Sequence, residues 1–277
     1  MPIKWTICLL LIYGTAASPA PARSQTPPRE NGQQTSKQSP KPLYATDPAS
    51  VPIAISDVEK GEFGPLDIQI IARWHALQAI PLLKTRFEQS KDLNTKGEIA
   101  NALVRLGENN GPYWDFLVDD ATRVINDGPP TAVNFDANGK PILAEPSKSF
   151  TDWATRHRMS VQQAWNDATP EAVGAIIDLG SSDDQRAVPI LREALASEND
   201  FVKIAAAQGL AALHDTDSVP EIIKVCESAP KEVAWLIAQY LVYFDDPAAG
   251  RAVDKYVPKI IAQELREDRA QGKTPYD

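Results

Sequence analysis

Asn199-Asp200-Phe201-Val202-Lys203-Ile204-Ala205-Ala206-Ala207-Gln208-Gly209-Leu210-Ala211-Ala212-Leu213 decides how this chain folds. Val202, Ala205, Ala206, Gly209, Leu210 and Leu213 share the i, i+3, i+4, i+7, i+8, i+11 spacing that lines one face of an α-helix. Val233, Leu236, Ile237, Tyr240, Leu241 and Phe244 fall at the same offsets one period later. Each run is followed by a short acidic turn and a new amphipathic stretch, Ser218-Val219-Pro220-Glu221-Ile222-Ile223 after the first. A period of about 30 residues is what stacked helix pairs produce when no pair can bury its own apolar face.

The repeat can be followed upstream. Ala187-Val188-Pro189-Ile190-Leu191 and Ala79-Ile80-Pro81-Leu82-Leu83 match Ser218-Val219-Pro220-Glu221-Ile222. In each, proline follows one β-branched residue, which predicts the first turn of a helix, where a missing N–H costs nothing. Second helices align as well: Ile99, Ala102, Leu103 and Leu106; Ala172, Val173, Ile176, Ile177 and Gly180; and, more weakly, Leu66, Ile70, Ile71 and Trp74. Small residues at Ala102, Ala206 and Gly209 suit close helix–helix approach.

Residues 199–213 resemble the second helix of a bacterial HEAT repeat, the short HEAT-like or PBS-lyase-type kind. Its pattern is an Asp or Asn turn, Val before a basic residue, an Ala-rich turn, then Leu. The resemblance spans about residues 66–257 and is specific from Pro170 to Pro247. It implies an all-α fold, an armadillo-like α-solenoid of about five helix pairs with one inserted loop or hairpin. It also implies a scaffold that binds other proteins, with second helices lining a concave face. It does not imply bilin attachment, because such repeats occur with many functions.

The 277 residues are 43% hydrophobic and 23% charged, as in a soluble globular protein. The chain opens on a secretory pattern: Lys4, an apolar run from Trp5 to Tyr13, and Ala20-Pro21-Ala22 as a small-x-small cleavage site. The run is too short for a permanent span, so the sequence predicts cleavage after Ala22, export to the periplasm or exterior, and no membrane insertion afterwards. Cleavage removes Cys8 and leaves Cys226 alone, so no internal disulfide is expected and Cys226 reads as a buried apolar side chain. A net charge of −9 argues against nucleic acid and anionic membranes, which call for clustered Lys and Arg. Acidic turns at Asp183-Asp184, Asp215-Asp217 and Asp245-Asp246 read as helix caps, and none has the alternating ligands of a calcium loop.

Four segments follow. Residues 1–22 are the signal and 23–58 a Pro/Ser/Gln-rich tether with too little apolar surface to order itself. Residues 59–265 form the solenoid, and 266–277 a flexible polar tail. An insertion over 127–149 carries Thr131–Phe135 and Lys140–Leu143 around Asn138-Gly139, a hairpin signal. After it, Ser149 is placed to cap a helix bearing Phe150, Trp153 and Ala154, and Ser160 with Gln163 makes a capping box. Val133, Phe135, Ile142 and Leu143 must bury somewhere, so the insertion is either a recognition loop or a plug covering Trp153 or Trp165.

No catalytic constellation assembles. The histidines are His75, His157 and His214; His75 and His214 share one turn position three repeats apart, on the order of 30 Å, too far to share a metal. Ser-His-Asp, His-Glu-x-x-His and Cys-x-x-Cys patterns do not occur, so the reading carries no enzyme activity, cofactor or metal. The feature that is not plain core is an amide ladder on the second helices. Gln69, Asn101, Ala175, Gln208 and Gln239 stand at equivalent positions, followed four residues on by Arg73, Arg105, Leu179, Ala212 and Tyr243. Such a ladder can hydrogen-bond an extended protein or peptide partner; alternatively the amides bond across to the next repeat. Trp235, at an outward helical position, is the candidate aromatic anchor. The competing readings are a repeat-type enzyme or chaperone-lyase, and a purely structural module of an envelope complex.

Overall fold

The computed structural model describes residues 47–127, 132–135, 141–143, 145–161 and 173–276. Helices follow one another in pairs: α1 (Val51–Lys60) and α2 (Pro65–Arg73), α3 (Ile80–Gln89) and α4 (Leu93–Arg105), then α5 (Pro112–Asp127). Strands β1 (Ala132–Phe135) and β2 (Pro141–Leu143) come next, followed by α6 (Lys148–Arg156) and α7 (Gly174–Gly180). The chain continues through α8 (Val188–Leu195), α9 (Asp200–Ala212), α10 (Val219–Ser228) and α11 (Lys231–Ala238), which runs into a 3-10 turn, Gln239–Tyr243. A terminal pair, α12 (Pro247–Tyr256) and α13 (Lys259–Ala270), closes the stack. Second helices pack in one unbroken series, α2 on α4, α4 on α7, α7 on α9 and α9 on α11. This is an α-solenoid, and the five second helices read from the sequence are the five in that series.

The local chemistry of the turns explains the repetition. Proline occupies the first turn of α3, α8 and α10, each preceded by a 3-10 turn. Six residues before each of these prolines stands a left-handed residue, His75 (φ 47°), Asp183 (φ 60°) or His214 (φ 54°). After α9 the His214 N–H donates to Ala211 O (3.1 Å) and the Asp215 N–H to Leu210 O (3.0 Å), the paired reversal of a Schellman motif. His75 and Ala76 close α2 in the same way. The two histidines sharing a turn position are therefore helix terminators, tolerated at positive φ better than branched residues are.

One core runs through the stack. Val202, Ala205, Ala206, Leu210 and Leu213 are buried on α9 and its cap; Ile237, Leu241 and Phe244 are buried one repeat later. Ile99, Ala102, Leu103 and Leu106 are buried on α4, and Cys226 on α10, where burial pushes its thiol up to about 12. At the α7–α9 crossing the helices meet backbone to backbone: a Cβ on Gly180 would lie 2.7 Å from Gly209 Cα.

Several expectations need correcting. The weak first register is only half right, because Leu66 (37%) and Trp74 (39%) are exposed while Ile70 and Ile71 are buried. Among the described residues the first helical turn is at Pro48, inside the stretch read as a tether, and residues 266–270 are the end of α13 rather than tail. The helix bearing Phe150, Trp153 and Ala154 is capped by Ser147, whose Oγ accepts the Phe150 N–H (3.1 Å), not by Ser149. Pro146 ahead of that serine holds no place in a helix, which fixes the earlier start. Two of the three acidic turns cap: Asp184 accepts from the Arg186 N–H, and Asp246 from the N–H groups of Ala248 and Ala249, whereas Asp215 makes no cap bond and accepts from Arg192 and Ser218 side chains instead. The insertion is an antiparallel hairpin with an irregularity between Ala132 and Asn134, opposite Leu143 and Ile142. Its Asn138-Gly139 turn, the side chains of Val133, Phe135, Ile142 and Leu143, the remainder of the Ser160–Gln163 box, and Trp165 lie outside the described residues.

Candidate functional site

The residues of the amide ladder divide into four kinds. Gln69 and Arg73 on α2 are exposed. Asn101 on α4 is buried and bonds across to the next repeat, its Nδ2 donating to Asp178 O (2.6 Å) and Ser181 Oγ (3.0 Å). Arg105 does likewise, with its Nε 3.0 Å from Asp183 Oδ2. Gln239 turns back on its own helix, donating from Nε2 to Leu236 O (2.9 Å). Trp235 is half-buried rather than outward, lying in the middle of α11.

Gln208 and Tyr243 differ from the rest, because they hold the segment after α13. Helix α13 ends in a Schellman motif at Gly272 (φ 80°), with the Lys273 N–H donating to Asp268 O (3.1 Å) and the Gly272 N–H to Arg269 O (2.9 Å). The reversal sends the next residues back over the second helices. Tyr243 Oη donates to Thr274 O (3.3 Å) and Gln208 Nε2 to Pro275 O (2.8 Å). Tyr276 Oη reaches α7, 3.5 Å from Ile177 O, and lies where a Cβ on Gly180 would come within 2.6 Å. Three consecutive residues thus cross three consecutive second helices. Arg269 anchors the approach by donating from Nη1 to Val242 O (2.8 Å) and Phe244 O (3.4 Å). Sequence reading assigned this stretch to a flexible tail, since Gln271-Gly272-Lys273-Thr274-Pro275-Tyr276 offers no apolar period.

A second group, unread in the sequence, lies where α4, α5, α6 and α7 meet. Asp120 and Arg123 on α5 are both buried, with Nη2 2.6 Å from Oδ1, and the guanidinium stacks on Trp153 (4.6 Å) and Phe150 (5.1 Å). Burial raises the Asp120 carboxyl even so, against the pull of Arg123. Lys96 donates to His157 O (3.1 Å) over the Phe87 ring (4.7 Å), and burial lowers its pKa. His157 Nε2 sits 3.1 Å from Asp119 Oδ2; burial depresses its pKa more than that carboxylate raises it. Burial lifts Glu98 to about 7 and Asp178 well above the ordinary carboxylate value, the latter reinforced by Glu98 and Asp120. A cleft of about 640 Å³ opens here, lined by Phe87, Lys96, Trp114, Asp119, Arg156 and His157 among others. Its charges are paired with one another: Arg156 with Asp119 (2.8 Å), Arg158 with Glu88 (3.8 Å).

Among the described residues no cluster of His, Cys, Asp and Glu is placed to hold a metal ion, and no helix is long and apolar enough to cross a membrane. The stacked pairs and the second-helix face define the class, a helical-repeat protein. Residues 166–242 match the family model for HEAT repeats. No curated protein and no solved structure matches the chain.

Proposed function

We propose that this is an exported, non-catalytic scaffold that binds a protein or peptide partner along its second-helix face. HEAT repeats point generally to protein–protein interaction. The observation that carries the reading is the pair Gln208 and Tyr243, whose side chains hold the main-chain carbonyls of the segment after α13. Main-chain recognition of that kind suits peptides in extended form. The non-catalytic part rests on where the convergent charges go: Asp120 pairs with Arg123 within α5, while Lys96–His157 O and Arg192–Asp215 (2.7 Å) tie separate elements together. Export rests on Lys4, the Trp5–Tyr13 run and Ala20-Pro21-Ala22.

A photo-crosslinking residue at Gln69, exposed on α2, compared with one at Lys224, exposed on α10, tests the binding face in the producing cell. Discrete adducts from position 69 and none from 224 are expected. Adducts from 224 alone, or from neither, overturn the reading. Amino-terminal sequencing of the recovered protein is expected to begin at Arg23.

A further inference from the structure

We propose that residues 272–276 are a displaceable occupant, held in cis, of a peptide groove on α7, α9 and the Gln239–Tyr243 turn. The groove's partner ligand is a peptide segment carrying proline followed by an aromatic residue. This rests on the scaffold reading and specifies its ligand.

Three features distinguish this from ordinary packing. The polar bonds from the solenoid go to the carbonyls of Thr274 and Pro275, which any extended peptide presents. The selective elements are Pro275 and Tyr276. The ring of proline fixes its φ before binding, so it loses little freedom on docking. The tyrosine ring reaches the α7–α9 crossing, and the absence of side chains at Gly180 makes room for its hydroxyl. Finally, the occupant is shallow: Lys273 and Thr274 are exposed, and Pro275 and Tyr276 are half-buried. A short tether nevertheless gives it an effective concentration of roughly millimolar, enough to screen out weak ligands in trans.

The test uses a fluorescein-labelled peptide with the sequence of residues 271–277, followed by anisotropy. It is titrated with the full chain, with a chain stopped after Ala270, and with a full chain carrying Tyr276→Ala, which keeps every helix intact. The stopped chain and Tyr276→Ala are expected to bind it saturably, the full chain at least about tenfold more weakly. Gln208→Ala in the stopped chain, or alanine at the peptide's tyrosine, is expected to weaken binding about tenfold. Saturable binding by Tyr276→Ala supports the proposal even where the stopped chain fails to fold. Absence of binding by Tyr276→Ala at an unchanged melting temperature overturns it, as does a Tyr276→Ala chain that has lost its cooperative melt, since the segment is then a structural strap. Failure here leaves the scaffold reading standing on adducts from Gln69, which lies on α2 outside the covered stretch.

Discussion

Against α9, helix α7 is held by the absence of side chains, and against α4 by a concentration of polar ones. On the first side Gly180 meets Gly209 and Leu191 closes over the pair, with a Cβ on Gly209 falling 3.0 Å from Leu191 Cδ1. On the second, Asp178 lies over Gly97, where a Cβ would come within 2.4 Å of its Oδ2, and Asn101 donates to the Asp178 carbonyl. The apolar side repeats with the sequence period and needs only the next repeat. The polar side sits where the hairpin and α6 interrupt that period, and its partners come from far along the chain. Where the solenoid is regular, close packing at the helix crossing registers the next helix, with polar bonds such as Gln185 Nε2 to Leu213 O (2.9 Å) only at the turns. Where it is interrupted, hydrogen bonds and ion pairs set the register at a cost in desolvation.

The largest effect is expected from breaking the polar side. Arg123→Met keeps much of the side chain's bulk against Trp153 but leaves Asp120 buried and unpaired, at about 3–5 kcal/mol in urea melts. Replacing both partners, Asp120→Leu with Arg123→Met, is expected to restore most of that loss. A double variant as unstable as the single one shows that the pair acts through packing on Phe150 and Trp153, not through charge.

On the apolar side Leu210→Ala is expected to cost about 2–5 kcal/mol, since the side chain is fully buried between repeats. Stability in such a stack is summed over neighbours, so hydrogen exchange should show the loss concentrated in α10 to α13. Arg123→Met should instead loosen α5 and α6. Uniform loss across the chain in both variants removes the distinction between the two sides.

The polar side also predicts a pH dependence. Glu98 titrates near 4.5 when unfolded and at about 7 when folded, raised by burial and then by Asp92. Between those values the folded chain holds the proton and the unfolded chain does not, so stability falls as pH rises from about 4.5 to about 7. Glu98→Gln stays neutral throughout. It is expected to match the parent near pH 4 and to exceed it by on the order of 3 kcal/mol above pH 7. His157, depressed by burial, contributes with the opposite sign, and taking the difference between the two proteins cancels it. Parallel stability curves overturn the assignment.

How much of this was legible follows the same division. The α9 register, the proline-led first turns and the hairpin could be read because each is a local pattern of a few residues. Asp120 and Arg123 at i, i+3 look like any surface pair on a helix. Their burial depends on Phe150 and Trp153 arriving from α6. Asn101 reads as one rung of a ladder, and Asp178 gives no sign that its carbonyl is the partner. Nor does the segment after α13 betray its place, since its bonds run through main-chain carbonyls, which every sequence has.

The smallest predicted difference separates two rungs that the sequence makes equivalent. Asn101 is buried with two acceptors from the neighbouring repeat, so Asn101→Ala removes the donor that Asp178 O and Ser181 Oγ share and is expected to cost about 1–3 kcal/mol. Gln239 is half-buried and donates to a carbonyl three residues back on its own helix, so Gln239→Ala is expected to stay within about 0.5 kcal/mol. Arg105→Ala should fall between them, because Asp183 is largely in solvent and an exposed pair contributes about 0–1 kcal/mol. Urea melts of the three variants rank the rungs directly. If Gln239→Ala costs as much as Asn101→Ala, the amides act as one ladder after all. The contrast drawn at α7 then reflects position in the stack rather than the chemistry of its two sides.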